Sequence, residues 1–139
     1  MKPGTNWIVR DRTRLLLALI EELEGDAHIA FEGDLRAFSL DRLPGTSDQE
    51  TPTLKRNTIW PKQDFLVMPL ESSMGQDILR AISGAAPRRI IHIQIEKDGI
   101  LQFGAFDNFQ SLFWGPMLGN DFLASLATQG ILASARPEG

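Results

Sequence analysis

Apolar and polar positions alternate most regularly in "RRIIHIQIEKDGILQFGAF", residues 88–106, where Ile91, Ile93 and Ile95 interleave with His92, Gln94 and Glu96. A period of two is the signature of a half-buried strand, and the central Asp98 and Gly99 predict that two such strands fold back as a hairpin. Helical spacing dominates earlier in the chain. Leu16, Leu19, Ile20 and Leu23 form one stripe, widened by Leu15 and Leu17, between a capping Asp11 and a terminating Gly25. This predicts a well-buried helix ending near Glu24. A second helix follows a capping box of Ser73 and Gln76, carries Ile78, Leu79 and Ile82 on one stripe, and stops at Gly84. A third is expected over 121–129, with Asn120 as cap and Gly130 as stop. "NWIV" and residues 131–134 are expected as short strands.

The segments "HIAFE" and "LRAFSL", separated by Gly33 and Asp34, predict a first hairpin. Its register sets Glu32 opposite Leu35, Ile29 opposite Phe38 and His28 opposite Ser39. Two further strands are expected over 55–60 and 65–70. "FLVM" is apolar throughout and so needs cover on both faces, while Pro69 confines its strand to an edge or an end. For the 88–106 hairpin, a two-residue loop would oppose Ile95 to Gln102. A three-residue loop of Lys97, Asp98 and Gly99 instead pairs Ile95 with Leu101, Ile93 with Phe103 and Ile91 with Ala105, keeping one face apolar. That register is expected, with Arg89 across from Asp107 and with His92, Gln94 and Glu96 on a solvated face.

Between these elements, "DRLPGTSDQETPT" at 41–53 has almost no apolar anchor and is expected as a mobile loop; residues 136–139 are expected as a disordered tail. Residues 1–139 fit one domain. The chain has no cysteine, which excludes disulfides, thiol nucleophiles and cysteine-ligated zinc. No apolar run approaches the ~20 residues of a membrane-spanning helix, and no signal-peptide pattern is present, so a cytoplasmic, membrane-free protein is expected. With 14 basic against 18 acidic residues, the global field repels polyanions, and nucleic acid is not an expected partner.

The chain's two histidines stand in an echoed motif, "HIAFEGD" at 28–34 and "HIQIEKD" at 92–98. On a helix His92 and Glu96 would meet, but on a strand side chains four residues apart are separated by ~13 Å. A local acid–base or metal pair therefore fails. If the two segments are neighbours, each histidine can approach the other copy's glutamate, which makes His28, His92, Glu32 and Glu96 the candidate ligands of a divalent metal. The alternative is polar residues alternating on a wetted sheet face, and no metal or cofactor is expected. The echo also suggests that strand, helix, strand, strand occurs twice, at about 6–40 and 65–106. Such duplicated halves resemble, in topology only, effector-binding domains of the kind fused to transcription regulators, which implies a cleft between the halves for an apolar ligand.

Of eight phenylalanines and three tryptophans, six fall at Phe103, Phe106, Phe109, Phe113, Trp114 and Phe122. With Gly115 and Pro116 in it, "FDNFQSLFWGPML" is expected as an irregular connection that plugs the core, lines a pocket or forms an interface. Helix one carries Arg10, Arg12 and Arg14 at its start and Glu21, Glu22 and Glu24 at its end, the reverse of what the helix dipole favours.

The sequence thus predicts an α+β domain with a single mainly antiparallel sheet of about six strands and two to three helices on its isoleucine face. The expected function is a non-enzymatic binding protein, engaging an apolar small ligand or a protein partner, with a homodimer among the partners. Its binding residues are Phe106, Phe109, Phe113 and Trp114, with His92, Gln94 and Gln102. The alternatives are a small cofactor-free hydrolase or isomerase using His92 as general acid or base, and an acidic immunity-type inhibitor or structural subunit.

Overall fold

A computed structural model describes residues 7–82 and 89–134. The expected stop of the second helix at Gly84 and the tail at 136–139 lie outside the described residues. The architecture is α+β. Strands β1 (Trp7–Val9) and β7 (Leu132–Ser134) form a small antiparallel pair. The main sheet is antiparallel and runs β3-β2-β4-β5-β6, from β2 (Ala27–Gly33), β3 (Asp64–Leu70), β4 (Ile90–Lys97), β5 (Ile100–Phe106) and β6 (Ser111–Trp114). Helices α1 (Arg12–Leu23), α2 (Gly75–Ile82) and α3 (Asn120–Thr128) complete it. No described helix is long and apolar enough to cross a membrane.

Helix α1 is laid down by its own stripe. Leu15, Leu16, Leu19, Ile20 and Leu23 are buried, and the Asp11 side chain caps the first turn by accepting the Arg14 N–H. The main core joins that stripe to Ile78 and Ile82 of α2 and to Ile29, Phe31, Met68, Leu70, Ile93, Ile95 and Phe103 on one sheet face. The inverted charge of α1 is compensated from outside the helix. Lys97 Nζ donates to the carbonyls of Leu23 and Glu24, at 3.0 Å each, placing a cation on the helix C-terminus. At the other end, Arg12 donates to Asn108 O at 3.1 Å and lies over the Phe109 ring.

Several expectations are corrected. "LRAFSL" is not a strand but two 3-10 turns, Arg36–Phe38 and Leu40–Arg42, joined by Ser39 at φ 56°. Both edges of β2 are already taken, by β3 and β4, and the buried Leu35 and Phe38 stand three apart, a spacing for a turn rather than a strand. The first half of the supposed duplication therefore lacks its second strand, and β1 lies outside the main sheet, so the two halves and the cleft between them do not form. Residues 55–60 are not a strand either.

The β4–β5 turn is the two-residue Asp98 and Gly99, both at positive φ (56° and 77°), as a type I′ turn requires. Lys97 pairs with Ile100 and Glu96 with Leu101; a bulge that skips Gln102 then sets Ile95 opposite Phe103 and Ile93 opposite Ala105. The bulge, not a longer loop, keeps the apolar face uniform. A second irregularity opposite Glu32 and Gly33 skips Ile91, so that Ile90 joins the core in its place. Arg89 pairs with Asp34 at 3.6 Å rather than with Asp107, because Asp34 is drawn alongside by its N–H bond to Arg89 O. Finally, the irregular connection expected after Phe106 is a hairpin. Asp107, Asn108 and Phe109 all take positive φ, and the chain returns as β6 with Gly104 opposite Phe113 and Phe103 opposite Trp114.

Candidate functional site

Strand alternation predicts a wet second sheet face. It is covered instead, and Glu32, His92, Gln94 and Gln102 are buried at 1%, 3%, 4% and 1% exposure. The cover is residues 51–58, a strap that Pro52 and a run of polar side chains keep out of regular structure. Thr53 Oγ1 donates to Gly99 O at 3.1 Å, and Leu54 is fully buried against Ala30, Phe65 and Val67 in a separate small core. Gln94 Nε2 donates to Lys55 O at 2.8 Å. The Glu32 carboxylate then accepts the backbone N–H groups of Asn57 at 2.7 Å and Thr58 at 3.0 Å. A buried carboxylate is costly unless its oxygens are satisfied, and the strap backbone satisfies both.

His92 sits under the same strap. Its Nδ1 accepts the Asp107 N–H at 3.2 Å, so in the neutral ring the proton is on Nε2, which lies 2.7 Å from Thr58 Oγ1 and donates to it. The Phe106 ring covers the imidazole at 5.8 Å between centroids. Both nitrogens are therefore occupied within the protein, and acid or base chemistry at His92 would require Thr58 to leave.

The echoed motif pairs with itself. β2 and β4 are antiparallel neighbours with Ala30 opposite Gln94, so His28 falls opposite Glu96 and Glu32 opposite His92. At one end His28 Nδ1 meets Glu96 Oε2 at 2.9 Å in a partly exposed pair. At the other, Glu32 and His92 both turn to the strap. The four candidate metal ligands are thus split between the two ends of a strand pair, and among the described residues no group of three such side chains is placed to hold a metal ion.

The aromatic segment divides in the same way. Phe103 is fully buried, Trp114 packs on it at 5.2 Å between centroids, and Phe109 lies under Arg12. Phe106, whose ring occupies the space a side chain at Gly104 would need, is half-buried. Of the six rings, Phe113 alone is exposed, at 42%, with Met117 near it in sequence. Gln94 and Gln102 are spent internally, Gln102 Oε1 accepting the Met117 N–H at 2.9 Å.

The most prominent apolar feature lies elsewhere. Directly after the clamped Asn57 and Thr58, Ile59 and Trp60 stand 93% and 85% exposed. The loop carrying them is closed at its base by Arg56 Nη1, which donates to Gln63 O at 2.8 Å while its guanidinium lies over Phe65. Beside this tip opens a cleft of about 430 Å³, lined by Leu35, Phe65 and Leu66 and by charged groups that include Asp41, Asp48, Arg56 and Lys62. None of the aromatic segment lines it. Sequence reasoning missed the tip because "NTIW" reads as β-prone; the signal that could have marked it is a pair of large apolar residues enclosed by Lys55, Arg56, Pro61 and Lys62. The chain matches no known family model, no curated protein and no solved structure.

Proposed function

We propose that this chain is a non-enzymatic binding protein that engages a protein partner through the apolar tip Ile59 and Trp60. The observation that carries the reading is the near-complete exposure of both side chains directly after backbone held by the buried Glu32 carboxylate at Asn57 and Thr58. Burying a large apolar side chain is worth roughly 1.5–3 kcal/mol, so two adjacent ones left in water are an unused source of binding energy. Tryptophan is also the side chain most enriched at the energetic centre of interfaces, and a loop tied at Asn57, Thr58 and its Arg56–Gln63 base loses less backbone entropy on docking than an untied one. The occupied nitrogens of His92 weigh against the enzymatic alternative.

The test is site-specific photocrosslinking in the native host, with a benzophenone side chain at position 60 and, as control, at the exposed Gln129. Discrete adducts at 60 that are missing at 129 support the reading. Equal, diffuse labelling at both positions overturns it.

A further inference from the structure

We infer that the outer edge of β6 pairs with the same edge of a second copy of this chain, joining the two main sheets into one. The edge of a sheet is a row of unpaired N–H and C=O groups, which invites further pairing unless something covers or blunts it. The two edges of this sheet differ. Along β3, Ser47 and Val67 exchange N–H to carbonyl bonds of 2.8 and 2.7 Å, and Pro69 has no N–H to offer. β6 has no such cover among the described residues. The Gly115 N–H donates to Gln102 O at 2.7 Å, so strand alternation turns the N–H groups of Phe113 and Ser111 toward β5 as well. Leu112 and Trp114 therefore present their N–H and C=O groups outward, and no turn or loop backbone among the described residues bonds to them.

This edge complements itself. With a two-fold axis at Phe113, Leu112 of one copy lies opposite Trp114 of the other, and each such pair exchanges both of its main-chain bonds. An axis at Leu112 would set Trp114 against Gln110, in the turn, and an axis at Trp114 would set Leu112 against Pro116. Only the Phe113 axis uses the whole edge. It places Phe113 against its own copy in a non-hydrogen-bonded pair, where side chains stand closest, and an aromatic cross-strand pair covers a ring that is 42% exposed in the single chain. Charge permits the contact. A net charge of −4 makes copies repel, yet no charged residue stands between Asp107 and Asp121. β6 has only four residues, far fewer than the ~20–30 a side of a standard interface, so the dimer is weak and reversible.

Sedimentation equilibrium of the full chain from the micromolar to the millimolar range tests the inference, with circular dichroism confirming that each variant is folded. Wild type should rise from the monomer mass toward twice that mass. Phe113→Lys, which sets like charges directly opposite each other, should remain monomeric. Trp60→Ala should dimerise as wild type does, which separates this contact from the tip. Because the chain has no cysteine, single cysteines report the register. Phe113→Cys should form a disulfide-linked dimer under mild oxidation, its two β-carbons standing ~4.5–5.5 Å apart. Ser111→Cys, which is ~13 Å along the strand from its own copy, should not. A wild type that is monomeric throughout overturns the inference, as does a dimer that persists in Phe113→Lys or is lost in Trp60→Ala. Should Phe113→Lys fail to fold, the cysteines decide: equal cross-linking at 111 and 113, or none at 113, overturns the pairing.

Discussion

The carboxylate of Glu32 accepts the backbone N–H of Thr58 at 3.0 Å, joining the middle of the sheet to a strap 26 positions further along the chain. With the matching bond from Asn57, it fixes the backbone immediately before the exposed Ile59 and Trp60. Removing the carboxylate leaves two part-buried backbone donors without their acceptors. Because hydrogen bonds to charged groups contribute roughly 1.5–3 kcal/mol each, and relief of the carboxylate's burial offsets part of that, Glu32→Ala should cost about 2–4 kcal/mol in urea unfolding. Glu32→Gln should cost less, since its amide oxygen still accepts one bond. Amide hydrogen exchange at Asn57 and Thr58 should accelerate in both; unchanged protection there would contradict the clamp.

The other copy of the motif should behave differently. The His28 side chain in the His28–Glu96 pair is 45% exposed, and such pairs are typically worth ~0–1 kcal/mol. His28→Ala should therefore shift the unfolding midpoint little, and a loss as large as that of Glu32→Ala would show that the two ends of the motif are equivalent after all.

For His92, the two bonds require a neutral ring with its proton on Nε2. Nitrogen-15 long-range NMR at neutral pH should report an unprotonated Nδ1. His92→Phe keeps the packing against Phe106 but strands the Asp107 N–H, at a cost of roughly 1–3 kcal/mol. A protonated Nδ1 would refute the assignment.

Lys97 closes the C-terminus of α1, where Glu21, Glu22 and Glu24 oppose the dipole. Lys97→Met should destabilise by about 1 kcal/mol and lower the helix's protection from exchange at its last turn. No change in either quantity would mean that the lysine is not the compensating charge.

Two glycines grade the packing of β5 and the chain after β6. A Cβ at Gly104 would meet the Phe106 ring at 2.6 Å, whereas one at Gly115 would meet Gln102 Cα and Leu101 O, also at 2.6 Å. A ring can rotate and a paired backbone cannot. Gly104→Ala should then cost about 1–3 kcal/mol, the usual range for overpacking, and Gly115→Ala more. The opposite order in thermal unfolding would show that Phe106 is the more firmly held.

Much of the fold was legible because it is written in short-range periodicity. The stripe of α1 and the alternation of β4 and β5 follow from spacing, and the edge placement of β3 from the missing N–H of Pro69. The side-chain parity of β4 was also legible: Ile93 and Ile95 face the main core and His92 faces away. The candidate site was much less so. Phe109, Trp114, Gln94 and Gln102, which the sequence pattern marks as binding residues, are spent on packing or internal hydrogen bonds, and the pattern places Trp60 in a strand that does not form.

Which residues share a face can be read from their order in the chain, because it depends only on backbone geometry over a few positions. Which strands are neighbours, and what lies over the second face, is settled by long-range packing instead. β2 chose β3 and β4 over the adjacent "LRAFSL", and the strap buried Glu32 and His92 instead of leaving them wet. Those outcomes depend on contacts between residues 26 to 68 positions apart, whose energies are summed over the whole chain. No local pattern carries them.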